Sequence, residues 1–269
     1  ITTPIIAIQP EIWDTVAGGK GYFRVVARGT GLSYQWRKDG VNIGGETNAT
    51  YYDTNVTAGE DGNYTVVVSN GYGSATSAGA ALRLHNGTYV VGWGSNSFGQ
   101  INNPSGSVNV VRVNASSQAS YAIKADGTVT SWGSNGHVEQ TDIVKLARTY
   151  ATVQGLKADG TVVNIATVNA RNAPAGLSGV VDLAVGNSHS LALKDDGTVV
   201  AWYGSNTYGE TTVPVWLSDV VNIGAGQYHS MALRRDGTVV CWGSNAFGQS
   251  SPPVGLTGVV QIAATANGS

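Results

Sequence analysis

A tight-turn signal recurs through the last two thirds of this 269-residue chain. Gly-Thr preceded by Asp or Asn ends at Thr88, Thr128, Thr161, Thr198 and Thr238, with spacings of 40, 33, 37 and 40 residues. Asp-Gly and Asn-Gly adopt positive φ at low cost, and they are the strongest short-range signal for a β-hairpin. An alternating apolar run follows each copy, such as TVVCW at 238–242, which predicts a strand leaving each turn.

Two further strand patterns precede each complete turn. The nearer is SLALKD or SMALRR, and the farther is VVDLAV or VVNIGA. A three-strand unit that repeats at about 40 residues is typical of a β-propeller blade, since each small sheet buries its faces only against its neighbours. Charged residues make up only 12% of the chain and glycine occupies 37 positions, a composition that excludes a long-helix protein. The chain is therefore predicted to be all-β.

Two loops repeat almost letter for letter after the third strand of a unit. They are Trp93-Gly94-Ser95-Asn96 with Phe98-Gly99-Gln100, and Trp242-Gly243-Ser244-Asn245 with Phe247-Gly248-Gln249. With VVDLAVGNSHSLALKDDG at 180–197 and VVNIGAGQYHSMALRRDG at 220–237, they resemble the bacterial form of the regulator of chromosome condensation repeat. The resemblance spans 88–269 and implies short propeller blades similar to those of β-lactamase inhibitor protein II.

Some units depart from this pattern. One keeps Trp132 but carries GHVEQ where the aromatic-Gly-Gln loop would stand, and the next has Asn164-Ile165-Ala166 in place of Trp-Gly. Another inserts Tyr203 after Trp202, which we interpret as a bulge that changes the direction of the following loop.

Residues 1–86 lack the period and carry a different pattern. Alternating strands at 22–27 and 33–38, with Trp36 and a later Asp61-Gly62-Asn63-Tyr64, resemble an immunoglobulin-like sandwich with its core tryptophan and tyrosine corner. Val25 and Val66 are expected where that family has its inter-sheet cysteines. We predict two domains, an immunoglobulin-like β-sandwich at 1–86 and a β-propeller at 87–269.

The strand count leaves the ring closure open. Four complete units follow a lone final strand at 88–93 and precede a lone first strand at 259–263. If residues 80–93 and 259–263 share one sheet, the propeller closes with about five blades, and the sandwich keeps one orientation against it. The alternative is an incomplete larger ring, with the terminal strand unpaired or paired with a neighbouring molecule.

The charge of the chain argues against two classes of partner. A net charge of -2 offers no basic surface for nucleic acid or anionic lipid, and no run of 18 apolar residues could span a membrane. The chain begins with Ile1, as expected of an exported protein whose signal has been removed, although an engineered boundary would look the same.

No group of residues predicts catalysis, a metal or a cofactor. We expect His189 and His229 to make structural hydrogen bonds, because they share one repeat position. Cys241 lies in an alternating strand and is expected to be a buried, inert thiol. The remaining polar candidates have weaker cases: turn aspartates Asp126, Asp159, Asp196 and Asp236; a calcium-like cluster of Asp53, Asn55, Glu60 and Asp61; and His85 and His137 without partner ligands.

Aromatic residues in the loops are the better candidates for binding. For Phe98, Tyr208 and Phe247 packing between blades is expected, and a binding role is the alternative. Trp216, which breaks the repeat, is the preferred binding candidate together with Tyr228. The leading hypothesis is a non-catalytic, exported bacterial protein at the cell surface or outside the cell, with a protein- or glycan-binding propeller and a spacer sandwich. Alternatives are a fibre or surface-layer subunit that self-associates by strand addition, and, less favoured, an enzyme inhibitor or a nucleotide-exchange factor.

Overall fold

A computed structural model describes residues 2–104, 107–116, 118–134, 139–149, 152–166 and 171–265. The described chain is all-β apart from a short 3-10 helix at Ala58–Glu60. The N-terminal strands are β1 (Ile5–Ile8), β2 (Trp13–Thr15), β3 (Gly21–Arg24), β4 (Val26–Arg28), β5 (Ser33–Lys38), β6 (Val41–Asn42), β7 (Thr50–Asp53), β8 (Gly62–Asn70), β9 (Gly73–Thr76) and β10 (Ala80–Leu84).

Four three-stranded antiparallel sheets follow, each in sequential strand order. Sheet I comprises β11 (Val110–Ala115), β12 (Ala119–Lys124) and β13 (Val129–Gly133), and sheet II comprises β14 (Ile143–Arg148), β15 (Val153–Lys157) and β16 (Val162–Asn164). Sheet III comprises β17 (Val180–Val185), β18 (Ser190–Lys194) and β19 (Val199–Trp202), and sheet IV comprises β20 (Val220–Ala225), β21 (His229–Arg234) and β22 (Val239–Gly243). The predicted fold class, an immunoglobulin-like sandwich followed by three-stranded sheets of the propeller-blade type, is confirmed.

The chain divides into two compact units. The first contains Ile1–Val91, Ser105–Val113 and Ala122–Thr128, and the second contains the rest. The predicted boundary between residues 86 and 87, and the predicted fixed orientation of the sandwich, stay predictions.

The sandwich is built around aromatic side chains from facing strands. β2, β10, β8, β5 and β6 form one sheet in that order with β9 on β8, while β3 pairs with β7 and β1 with β4. Phe23 of β3 lies 4.8 Å from Tyr64 of β8 and 6.0 Å from Trp36 of β5, between ring centroids. Because Trp36 is fully buried, these rings form the centre of the core.

Two details of this domain match the sequence predictions. The Tyr64 hydroxyl donates to the Glu60 carbonyl at 2.9 Å, which is the bond of a tyrosine corner. Val25 and Val66 are both buried, as expected of an apolar pair in the core.

The repeated turns have the conformation that their sequence predicts. Gly87, Gly127, Gly160, Gly197 and Gly237 have φ between 55° and 86°. In four of these turns the Asp carboxylate accepts the backbone N–H of the Thr two residues later, at 2.8 to 3.0 Å. The aspartates at 126, 159, 196 and 236 are therefore turn residues, as predicted.

The predicted shared blade does not form among the described residues. Strand β10 pairs with β8 and β2 and thus belongs to the sandwich, while 88–93 contributes only a single bridge, between Tyr89 and Val108. Residues 259–263 form no strand, and Val260 is 92% exposed. Strand β10 is therefore used by the sandwich, and the choice between a ring closed by five blades and an incomplete larger ring stays open.

No helix among the described residues is long and apolar enough to cross a membrane.

Candidate functional site

Three loops that follow a third strand, or its counterpart, share one hydrogen-bonded frame. We call 96–102, 206–212 and 245–251 the bracket loops. In each, the Asn side-chain oxygen accepts a backbone N–H five residues later at 2.9 to 3.2 Å, and its amide donates to the side chain six residues later at 2.7 to 2.9 Å. The side-chain oxygen of Gln100, Glu210 or Gln249 then accepts the backbone N–H of the aromatic residue at 2.7 to 3.0 Å.

The bracket fixes the backbone of each aromatic residue but leaves its ring in solvent. Phe98, Tyr208 and Phe247 are 47%, 52% and 76% exposed. Full packing between blades, the expectation for these rings, is therefore not observed, and Phe247 departs from it furthest. The shared feature of these loops is the set of hydrogen bonds that we call the bracket, and the aromatic ring projects from it into solvent.

Tyr208 and Tyr228 come together at one end of sheet IV. Their ring centroids are 5.2 Å apart, in a tilted arrangement, although the residues belong to successive repeats. The backbone N–H of Ser244 donates to the Tyr228 carbonyl at 2.8 Å. The bracket loop that carries Phe247 begins at the next residue, so Phe247 belongs to the same end of the sheet. These three residues form what we call the aromatic end.

Trp216 does not belong to the aromatic end. It lies in the Pro214–Leu217 turn just before β20, and the first residue of β20, Val220, bonds to Gly197 of the Asp-Gly-Thr turn. Tyr228 follows the other end of β20, a strand that spans about 20 Å. Trp216 therefore lies apart from the other predicted aromatic residues. Its ring is 63% exposed, and its role in binding stays a prediction.

The two repeat histidines lie in the interior. His189 and His229 are both fully buried, and His189 Nε2 lies 2.7 Å from Ser230 Oγ of the next sheet. Burial lowers the pKa of His189 to about 4, with Glu210 opposing that shift and Arg171 and His229 adding to it. The predicted structural hydrogen bond is confirmed for His189, and the pair is closed to a substrate.

Glu210 differs from its counterparts in the other bracket loops. Gln100 and Gln249 are neutral amides, whereas Glu210 is a fully buried carboxyl group. One of its oxygens accepts the Tyr208 N–H at 3.0 Å, and the other has no hydrogen-bond partner in the described chain.

The other polar candidates do not form a reactive centre. Cys241 is half-buried, not fully buried as predicted, and burial raises the pKa of its thiol to about 11. In the calcium-like cluster, the Asp53 carboxylate accepts the backbone N–H of Asn55. The Glu60 carboxylate accepts the backbone N–H and the hydroxyl of Thr57, so both carboxylates form hydrogen bonds within the local turn. Among the described residues no three carboxylate, histidine or cysteine groups could hold a metal ion. His137 lies outside the described residues.

One feature was not predicted. Sheet II has a groove of about 450 Å³ beside β16, with Gln154, Asn164 and Arg171 in its lining. The signal was present in the sequence, because Gln154 occupies the strand position of Leu191 in sheet III and Met231 in sheet IV.

Comparison with known proteins gives matches to solved structures and to one family profile. Solved structures similar to this chain include immunoglobulin domains, each matched over about a third of this chain. A chimeric titin Z1Z2-Z1Z2 tandem carrying a fibronectin GRGDS peptide is 22% identical (TM-score 0.29; 32% of this chain, 51% of that one). The titin M3 domain is 18% identical (TM-score 0.29; 32% and 100%), and the Ig1-2 module of Drosophila receptor protein tyrosine phosphatase DLAR is 29% identical (TM-score 0.28; 30% and 48%).

This chain thus spans about half the length of the two tandem structures. No curated protein matches its sequence. The family profile described as "Regulator of chromosome condensation (RCC1) repeat" matches residues 180–210 and 220–249. Sheets III and IV, together with the bracket loops that follow them, are therefore repeats similar to that family.

Proposed function

We propose that this chain is a non-catalytic interaction protein, exported by a bacterium to the cell surface or beyond it. The repeat sheets would carry the binding surface and the sandwich would act as a spacer. The observation that carries the proposal is the exposed Tyr208–Tyr228 pair, in which Tyr208 belongs to a hydrogen-bonded bracket loop.

Exposed rings on a fixed backbone favour binding for an energetic reason. Aromatic side chains contribute large apolar areas at the centres of interfaces, and they have few rotatable bonds to immobilise. Because the bracket already orders the loop, a partner does not have to order it again on binding. The tyrosine hydroxyls add donors and acceptors, so the surface suits a protein or a glycan.

A comparison of variants tests this role. Labelled wild-type chain, Tyr208→Ala and Tyr228→Ala are applied to one array of bacterial glycans and one array of secreted proteins. We expect a ligand whose affinity falls about tenfold or more in both variants, the usual cost of truncating an interface anchor. Val215→Ala is the matched control, because Val215 is 102% exposed in the turn beside Trp216. Ligands that bind both tyrosine variants as tightly as wild type contradict the proposed surface.

Two further measurements address export and catalysis. Fractionation of the source cells should place the protein in the surface or medium fraction, and a cytoplasmic protein contradicts the proposal. A hydrolase and lyase screen should give no turnover that depends on a loop residue.

A fibre or surface-layer subunit is the second candidate, and one observation favours it. The Val259 N–H bonds to the Gly237 carbonyl at 3.2 Å, just as Val220 bonds to Gly197 at 3.1 Å at the start of β20. Residues 259–263 thus begin on the path of a first strand, but no described strand pairs with them. An unpaired strand edge is a template for another chain.

Sedimentation velocity over a range of concentrations distinguishes the two candidates. Strand addition predicts oligomers that Val260→Lys reduces, since lysine on an edge opposes pairing. Val215→Lys, an equally exposed control, should not reduce them. A monomer at every concentration contradicts the fibre.

Enzyme inhibition, as in β-lactamase inhibitor protein II, is the lesser alternative. Unchanged β-lactamase rates in the presence of excess chain would contradict it.

A further inference from the structure

The groove in sheet II lies along the free edge of β16. One wall consists of Val162, Val163 and Asn164, and the opposite wall is formed by residues between Arg171 and Leu177. All of these residues belong to the second compact unit.

The backbone of β16 offers this groove hydrogen-bonding groups that no described strand uses. Ile165 donates to Val153 at 2.9 Å and Lys157 donates to Thr161, so residues 161, 163 and 165 direct their backbone groups to β15. In an antiparallel ladder the alternate residues point the other way. The N–H and C=O groups of Val162 and Asn164 therefore face outward, and no described strand pairs with them.

Carboxamide side chains line the groove in a hydrogen-bonded series. Gln154 Nε2 donates to the Arg171 carbonyl at 2.6 Å, and Asn164 Nδ2 donates to Asn172 Oδ1 at 2.9 Å. The Asn164 oxygen accepts the Arg171 backbone N–H at 3.2 Å. Gln154 is fully buried, and its Oε1 has no partner among the described residues. An apolar repeat position has thus been replaced by a polar group whose bonds are incomplete.

The groove has no carboxylate with which to bind a cation, because no lining residue is acidic. The terminal nitrogens of Arg171, which belongs to the lining, donate to the carbonyls of Gly186, Asn187 and His189. No lining residue is aromatic either, so the groove lacks the ring on which a sugar face would stack. Pro174 and Leu177 give the outer wall an apolar surface.

We propose that this groove binds an extended, uncharged peptide segment, which adds to β16 as a further strand. The outward groups of Val162 and Asn164 would bond to the peptide backbone, and the exposed Asn172 amide would bond from the opposite wall. The three residues of β16 span about 10 Å, which suits a peptide of three to four residues. This site is separate from the aromatic end and does not depend on the proposed function.

Backbone NMR with a defined peptide tests the proposal. The probe is an acetylated and amidated pentapeptide of alternating threonine and valine, titrated into the 15N-labelled full chain. We expect saturable shifts of the Val162 and Asn164 amides and of the Asn172 side-chain amide. The same peptide N-methylated at every residue and ending in a dimethylamide, which cannot donate backbone hydrogen bonds, should produce none of them.

Two variants and one matched control decide the outcome. Val162→Pro removes one outward N–H at a strand edge, where proline is tolerated, and should weaken binding about tenfold. Val199→Pro makes the same change at the equivalent position of β19 in sheet III, and should bind as wild type. If Val162→Pro loses its spectral dispersion, Asn172→Ala, a change at an exposed side chain, replaces it with the same expectation.

Three results would overturn the proposal. The first is that the N-methylated peptide produces equal shifts. The second is that Val162→Pro, or Asn172→Ala in its place, binds the peptide with unchanged affinity. The third is that chitotriose shifts these amides and the peptide does not. Tyr208→Ala should leave the peptide titration unchanged. A negative result for the groove can therefore be distinguished from a negative result for the binding role of the aromatic end.

Discussion

Acidification from pH 7.5 to 4.5 should destabilise the region around β18, because His189 is buried as a neutral imidazole. An unfolded histidine titrates near pH 6.5, whereas the pKa of His189 in the folded chain is about 4. Below pH 6.5 the unfolded state therefore binds a proton that the folded state does not. The contribution of neutral His189 to the free energy of unfolding is fully present above pH 6.5 and is lost as the pH falls toward 4.

The size of the effect follows from these two values. At pH 4.5 the unfolded imidazole is almost fully protonated and the folded one is mainly neutral, so the loss is about 2.5 kcal/mol. A loss of that size lowers the ratio of the closed to the open state, and with it the protection factor, about 70-fold.

Hydrogen exchange measures this loss locally. Protection factors, corrected for the intrinsic pH dependence of exchange, should fall about 70-fold for peptides covering Ser190–Lys194. In His189→Gln, which stays neutral throughout this range, the protection of β18 should lose this pH dependence. Peptides covering Ser33–Lys38 in the sandwich serve as the internal control. Protection of β18 that is equal at the two pH values, or that falls equally in His189→Gln, would refute the reasoning.

Three further predictions concern single side chains. Glu210→Gln should raise the free energy of unfolding by about 1 kcal/mol in denaturant titrations, because it removes a buried acid with an unpartnered oxygen, and the reverse change Gln249→Glu should lower it. Trp36→Ala should cost about 3 to 5 kcal/mol in the same assay, while Trp93→Ala, at a side chain that is 83% exposed, should change stability by less than about 0.5 kcal/mol. Cys241 should react slowly with iodoacetamide at pH 8 and faster as the pH approaches 11; thiolate-like reactivity at pH 8 in the folded chain contradicts that expectation.

Local chemistry made the strands and turns predictable. An Asp-Gly-Thr turn needs only its own residues, since the carboxylate accepts a backbone N–H two positions away. The alternating strands around Trp36 likewise identify a buried face without reference to the rest of the chain. Both features were therefore visible in the sequence and are present in the structure.

Features that depend on distant partners were not predictable. The strand at Ala80–Leu84 could serve the sandwich or the propeller, and only pairing with β8 and β2 decides between them. Trp216 lies 12 residues from Tyr228 in the sequence, but the length of β20 places them at opposite ends of a sheet. Gln154 was visible as a polar residue in an apolar position, but its significance depends on the wall that follows Arg171.

The bracket loops separate the residues that set a loop's shape from the residue that the loop presents. Phe98, Tyr208 and Phe247 differ in ring type and exposure, while the surrounding hydrogen bonds are nearly the same. The bracket bonds to the backbone N–H of the aromatic residue and not to its ring, so a different side chain at this position leaves those hydrogen bonds in place. Duplication of the repeat then supplies several positions whose side chains can change independently of the loop that holds them.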